Sequence, residues 1–261
     1  MGIIEKVLKD KKISIWGCGY LGYTSTIKFQ STGFFINLYD LNIGRLKALK
    51  ADKYPDVDSV ELWTSSGEIP KINVSKLSIA TSPDQMFESA IHIISFPAED
   101  DQKRKVLKDL SDIFIANQES LDSPLIIFQS AGVPRGIENA FISNLNDSGV
   151  QCLYASAFRS DWIIEEFLAG NRKQVVSGYN AKALNEACAF MDLLEIKYST
   201  LLSIEEAEVY ENAQKAIHFT LSGFFNELSL SYPGIDIRKL SKLLIRNIEP
   251  DEISTGLGTL S

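Results

Sequence analysis

The chain holds 261 residues, 45% of them apolar and 23% charged, with a formal net charge of −8. That is room for one large α/β domain, or for a main domain with a smaller appendage. An acidic chain without a long Lys/Arg run is poorly suited to holding nucleic acid or an anionic membrane by charge, and no apolar run reaches the roughly 18–20 residues of a membrane span.

The three cysteines, Cys18, Cys152 and Cys188, are too few and too odd in number for a disulfide framework and suit a reducing cytoplasm. The two histidines, His92 and His218, pair with no Cys or Asp at metal-ligand spacing, so no zinc site is expected. His92 lies inside the apolar run AIHIISF and reads as packed core. The N-terminus, MGIIEKVLKDKK, alternates apolar with charged residues and lacks the apolar core of a signal peptide.

Short apolar runs bounded by turn residues predict strands, and longer stretches with a three-to-four residue period predict helices. In chain order they are a strand at Ile13–Trp16, a helix at Tyr20–Ser31, a strand at Phe34–Tyr39 and a helix at Ile43–Lys50. A polar stretch, Asp52–Lys71, predicts an extended loop. Then come a strand at Leu77–Ala80, a short helix at Ser82–Ser89 with Pro83 in its first turn, a strand at Ile91–Phe96 and a helix at Asp100–Ile115. A strand at Pro124–Phe128, a helix at Gly136–Asn146 and a strand at Cys152–Ala155 follow. Val175–Ser177 and Tyr198–Leu201 are two more strands around a helix at Ala181–Leu194. The alternation implies a Rossmann-type α/β fold, a doubly wound and mostly parallel sheet with right-handed crossovers. Ile204–Tyr232 carries helical periodicity without proline until Pro233, and Ile237–Arg246 is a shorter helix. The expected division is a nucleotide-binding domain over 1–203 and a small all-helical domain over 204–261.

The chemistry begins at ISIWGCGYLGYTSTIKF. Gly17-x-Gly19-x-x-Gly22 follows a strand and opens a helix, and Asp40 closes the second strand 18 residues after Gly22. The first glycine permits a tight turn, the second a close approach of backbone to pyrophosphate, the third close helix–strand packing. The helix N-terminus, with Tyr20 and Leu21 in its first turn, offers free N–H groups and a positive dipole end to phosphates. An acid at the end of the second strand takes the ribose hydroxyls and repels a 2′-phosphate, so NAD is the expected cofactor. Ser95-Phe96-Pro97 and Gln129-Ser130-Ala131-Gly132 end strands on the same side of the sheet. Ligands of open α/β sheets lie beyond the carboxyl ends of strands, which makes Ser95, Pro97 and Ser130 candidate nicotinamide-side contacts. Arg159 and Asp161 in SAFRSDWIIEEF follow another strand end. A guanidinium there suits a phosphate or carboxylate; packing of the loop through Trp162 is the alternative.

GCGYLGYTSTIKFQSTGFFINLYD, VPRG at Val133–Gly136, AEVYENAQKAIHFTLSGFFNEL at Ala207–Leu228 and GID at Gly234–Asp236 together resemble the UDP-glucose/GDP-mannose dehydrogenases. That family oxidises a sugar nucleotide at C6 to a uronic acid with two NAD molecules. The resemblance runs through the whole chain in order and implies a small-molecule substrate such as a sugar nucleotide, a role in polysaccharide biosynthesis, and a homodimer built on the long helix. It also places Asn226, in the Asn-Glu-Leu ending of that helix, at the substrate.

The departures are chemical. In the ungapped register the family's catalytic lysine falls on Glu211 and its water-positioning asparagine on Lys215. A second register puts Asn212 on the asparagine and Glu208 on the lysine. The family threonine falls on Gly132 or Ala131, its glutamate near Phe158, and its thioester-forming cysteine about at Ser261. The third, sugar-nucleotide-binding domain is missing. Lys215 and Glu211, spaced i,i+4, share a helix face, so Lys215 is the candidate acid/base with Glu211 tuning it, against the alternative of an ordinary exposed ion pair. Three functional readings follow: an NAD-dependent oxidoreductase with altered machinery, a non-catalytic NAD-binding homologue in a regulatory or scaffolding role, or the N-terminal part of a longer dehydrogenase. Bottom-up, the apolar positions Val209, Ala213, Ile217, Phe219, Leu221, Phe224, Phe225 and Leu228 cover more than one face of the long helix, which asks for burial on several sides.

Overall fold

Runs such as ISIW, IHII and LIIF are nearly continuous apolar stretches, with only Ser14 and His92 polar, as suits strands covered on both faces. In the computed structural model, which describes residues 2–54, 64–96, 100–159, 164–170, 173–237 and 239–241, all three are central strands. The chain runs α1 (Ile3–Asp10), β1 (Lys12–Trp16), α2 (Tyr20–Ser31), β2 (Phe35–Tyr39), α3 (Ile43–Lys50), β3 (Leu77–Ile79), β4 (Ile91–Ile94), α4 (Asp101–Ala116) and β5 (Leu125–Phe128). Next is a helix whose π-helical part is Glu138–Ile142 and whose α-helical end is α5 (Ser143–Asp147). Then come β6 (Leu153–Phe158), α6 (Ile164–Leu168), β7 (Gln174–Gly178), α7 (Ala181–Leu193), β8 (Tyr198–Thr200) and α8 (Ile204–Ser231).

The eight strands form one sheet in the order β3-β2-β1-β4-β5-β6-β7-β8. Strands β1 to β6 pair in parallel, β6 and β7 pair antiparallel, and β7 and β8 run parallel to each other. This is the Rossmann-type α/β sheet expected, with its order reversing between β1 and β4. Two apolar clusters cover its two faces. One gathers Ile13, Ile15, Phe29, Ile36, Leu38, Ile93 and Phe190. The other gathers Trp16, Phe87, Phe114, Phe128 and Phe141 around His92, whose Nδ1 accepts the Trp16 indole N–H at 3.1 Å. His92 is fully buried, and desolvation pushes its pKa down to about 3, so it is a neutral member of the core.

Three features were not anticipated. IIEKVLKD forms α1, because Ile3 and Val7, one turn apart, both bury. Strand β6 extends to Phe158, and α6 follows shortly after it. The stretch expected as a helix at Ser82–Ser89 is only a 3-10 turn, Pro83–Met86. Of the expected helix Ile237–Arg246, residues 237 and 239–241 are helical and 242–246 lie outside the described residues. The chain divides into two compact units, Met1–Asn212 and Ala213–Ser261, so the break falls inside α8.

Candidate functional site

The backbone ladder carries the strand ends into register beyond the sheet. Gly17 N–H donates to Tyr39 O at 2.7 Å, Ser95 N–H to Trp16 O at 2.9 Å, and Gln129 N–H to Ile94 O at 2.9 Å. Asp40, the glycine turn, Ser95 and Gln129 therefore lie side by side at the carboxyl ends of β2, β1, β4 and β5.

The three glycines do three separate things. Gly17 has φ +104°, a conformation that favours glycine, and a Cβ there would touch Ser95 and Phe96 at 3.4 Å. A Cβ on Gly22 would stand 1.8 Å from the Gly17 carbonyl oxygen, so α2 packs on the turn at glycine-only distance. Around Gly19 nothing lies within 4 Å of where a Cβ would point. Gly19 is also the N-cap of α2 and supplies no side-chain cap. The first N–H groups of α2 have no partner within the helix by geometry, and the ground in front of Gly19 is open. That combination fits a pyrophosphate.

Asp40 is buried, and its carboxylate binds the turn itself. Oδ2 accepts from Cys18 N–H at 2.6 Å and from Arg45 Nη1 at 3.0 Å, and Oδ1 accepts from Asn42 N–H at 2.7 Å. A carboxylate offers about four acceptor positions, so one remains at Oδ1 for a further donor. The Tyr54 hydroxyl donates to Cys18 O at 2.7 Å, and its ring packs edge-on to Tyr23 and under Arg45. The Cys18 thiol inside this turn is pushed up to about 12, chiefly by burial and then by Asp40, which leaves it unreactive.

At the other end, the Gln129 side chain joins the turn to the next loops. Its Oε1 accepts from Ser95 Oγ at 2.9 Å, and its Nε2 donates to Ser25 Oγ at 2.8 Å. Ser95 and Ser130 are half-buried at their strand ends, whereas Pro97 lies outside the described residues. Arg159 is 5% exposed and turns onto α2: Nη1 donates to Thr24 Oγ1 at 2.7 Å, Ser25 Oγ at 3.2 Å and Leu21 O at 3.3 Å. Its guanidinium stacks on Phe167 at 3.4 Å and lies over Tyr20 at 5.5 Å. Asp161 and Trp162 lie outside the described residues.

The loop after β5 is held by the start of α8. Asn212 Nδ2 donates to Gly132 O at 2.7 Å, and Glu208 Oε1 accepts from Ile137 N–H at 3.1 Å. Burial raises the Glu208 carboxyl to about 7, against the pull of the Ile137, Arg135 and Gly132 backbone N–H groups. Glu211 is also buried in this first unit. Lys215, half-buried, and Asn226, exposed, belong to the second unit. The structure thus brings Gly17, Gly19, Tyr20, Leu21, Gly22, Asp40, Ser95 and Arg159 around one helix N-terminus, with Ser130 following Gln129 at the end of β5. Arg45 and Tyr54 were missed from sequence. Arg45 had a legible signal, a cation in the first turn of α3, while Tyr54 had none.

Among the described residues, no group of three His, Cys, Asp or Glu side chains is placed to hold a metal, and no helix is long and apolar enough to cross a membrane.

No known family profile and no curated protein matches this sequence. Solved structures do. A UDP-glucose dehydrogenase from Pyrobaculum islandicum superposes with TM-score 0.65 at 17% identity, over 89% of this chain and 56% of that one. GDP-mannose dehydrogenase from Pseudomonas aeruginosa, in a ternary complex, gives TM-score 0.68 at 16% identity, over 90% and 56%. The fold is theirs. An imine reductase from Myxococcus stipitatus in complex with NADP+ gives TM-score 0.61 at 14% identity, over 94% and 73%. The chain spans little more than half the length of the sugar-nucleotide dehydrogenases it matches. These similarities show a Rossmann-type α/β fold.

Proposed function

We propose that the chain binds a nicotinamide dinucleotide, NAD in preference to NADP, and acts as an oxidoreductase on a CH–OH group of a small molecule, with a sugar nucleotide as the substrate class. The observation that carries the reading is the glycine turn: Gly22 closed on Gly17 O, and open ground before Gly19 at an uncapped helix N-terminus. The first turn of α2, at Tyr20 and Leu21, would hold the pyrophosphate, and Asp40 the adenosine ribose. Asp40 repels a 2′-phosphate, although Arg45 beside it partly offsets that charge. Ser95 and Ser130 would line the nicotinamide side.

A nicotinamide held there would supply the hydride acceptor for oxidation of the carbinol carbon. The protein must then take the hydroxyl proton, and Lys215 is the residue we assign to it, with Glu211 tuning its charge. Arg159 and Asn226 are assigned to the substrate side, Arg159 acting through its hold on α2. A second reading, an NAD-binding homologue without turnover, is favoured by one observation: the position that the resemblance gives to a lysine is a buried acid, Glu211. We also propose that the protein is a homodimer. Ile217, Phe219, Phe224 and Leu230 are 60%, 72%, 52% and 77% exposed on α8, a large apolar area for a lone helix to leave in water.

Calorimetric titration with NAD and NADP tests the cofactor assignment, and no heat at millimolar NAD refutes it. NAD reduction with a panel of UDP- and GDP-sugars separates the two readings. Where turnover is seen, Lys215→Ala should abolish it, and retained turnover removes Lys215 from the assignment.

A further inference from the structure

Glu208 is fully buried, and only one of its carboxyl oxygens is used. Oε1 takes the Ile137 N–H at 3.1 Å, while Oε2 has no hydrogen-bond partner. The residue lines a cavity of about 120 Å³ with Arg135, Glu138, Tyr179, Ser203 and Ile204. Among the described residues lining it, the one cation is Arg135, and its guanidinium is paired with Glu138 at 3.3 Å. On its own helix the residues three positions away on either side are both acids, Glu205 and Glu211. A carboxylate so placed keeps its charge only with help from the backbone N–H groups of Ile137, Arg135 and Gly132. Its second oxygen gains a partner only if water enters.

We propose that Glu208 is a proton-operated clasp on the loop between β5 and the next helix: protonated, it stays closed on Ile137, and ionised, it draws in water and loosens the loop. The clasp has one fixed tooth, the Asn212 bond to Gly132 O, which carries no charge and does not respond to pH. Glu208 is the tooth that does. Burial holds its carboxyl at about 7 when closed, against about 4.5 for an ordinary glutamate, so raising pH through neutrality favours the open loop. Gln129 at the head of the loop bonds Ser25 of α2 and Ser95, so the state of the clasp bears on the strand ends beyond the sheet. The inference concerns the loop alone and stands whether or not a dinucleotide binds.

The test is amide hydrogen exchange on the full chain at pH 5.5 and 8.5, corrected for intrinsic rates. Protection of residues 132–137 should fall at least tenfold at the higher pH, while that of β4 and β5 holds. In Glu208→Gln, which keeps an acceptor for Ile137, protection should not change with pH. Equal wild-type protection at both pH values overturns the proposal, whether or not the variant folds. So does the same loss in Glu208→Gln, or an ordinary glutamate titration of Glu208 followed by carbon NMR.

Discussion

The glycine turn allows packing and ligand binding to be separated by two single methyl groups. In Gly22→Ala the new Cβ would stand 1.8 Å from the Gly17 carbonyl oxygen and 2.9 Å from its carbon. Both are backbone atoms, so no rotamer change relieves the clash, and α2 must move off β1. Overpacking of this kind costs about 1–3 kcal/mol or more, and a backbone obstacle puts this case at the upper end. For a unit of this size, about 3 kcal/mol lowers the melting midpoint by about 6–12 °C. Gly19→Ala is the control. Its φ of −73° suits any L residue, and nothing lies within 4 Å of the new methyl. Loss of glycine at an N-cap costs about 0.5–1 kcal/mol, offset by about 0.4–1 kcal/mol of unfolded-chain entropy. Its midpoint should therefore match the wild type within about 2 °C, but the methyl occupies the approach to the helix N-terminus. NAD affinity should fall at least tenfold, about 1.4 kcal/mol. Thermal melts by circular dichroism and calorimetric titration read both. A Gly22→Ala protein that melts like wild type refutes the packing argument, and a Gly19→Ala protein that binds NAD like wild type refutes the pyrophosphate seat.

Three further outcomes are expected. Arg159→Lys keeps the charge but loses the flat stack on Phe167 and the reach to Thr24 and Ser25; it should destabilise by about 1–3 kcal/mol in denaturant titration, and an unchanged midpoint would show that the stack contributes nothing. His92, held near pKa 3 when folded against 6.5 when unfolded, contributes stability that is complete above pH 6.5 and is lost as pH falls from there toward 3. His92→Phe should flatten that part of the stability profile, and a resonance assigned to His92 that titrates near pH 6.5 by NMR would contradict the burial. Sedimentation at micromolar concentration should give a dimer, and Phe219→Glu with Phe224→Glu a folded monomer; a monomeric wild type ends the dimer proposal.

The sheet was legible because burial on both faces writes itself as unbroken apolar runs. The start of α2 was legible because the glycine turn that ends at Gly22 opens a helix after Gly19. Strand direction was not. QVVSG reads the same whether it runs with β6 or against it, and the antiparallel pairing is set by the connection through α6. The site was legible where one local pattern carries it, in Gly17, Gly19, Gly22 and Asp40. It was not where distant residues meet. Nothing in SIEEAEVYEN announces that Glu208 ends against Ile137, 71 positions earlier. Tyr54 reaches Cys18 from a polar loop with no period of its own.

The Trp16 indole stands directly before Gly17, fully buried, with its N–H on His92. A fluorophore is thus built into the strand that ends in the glycine turn, shielded from solvent quenching and three residues before Gly19 at the proposed pyrophosphate seat. Indole emission overlaps the absorption of reduced nicotinamide. Energy transfer from the indoles, with Trp16 as one of the protein's three tryptophans, would therefore report occupancy without any added label.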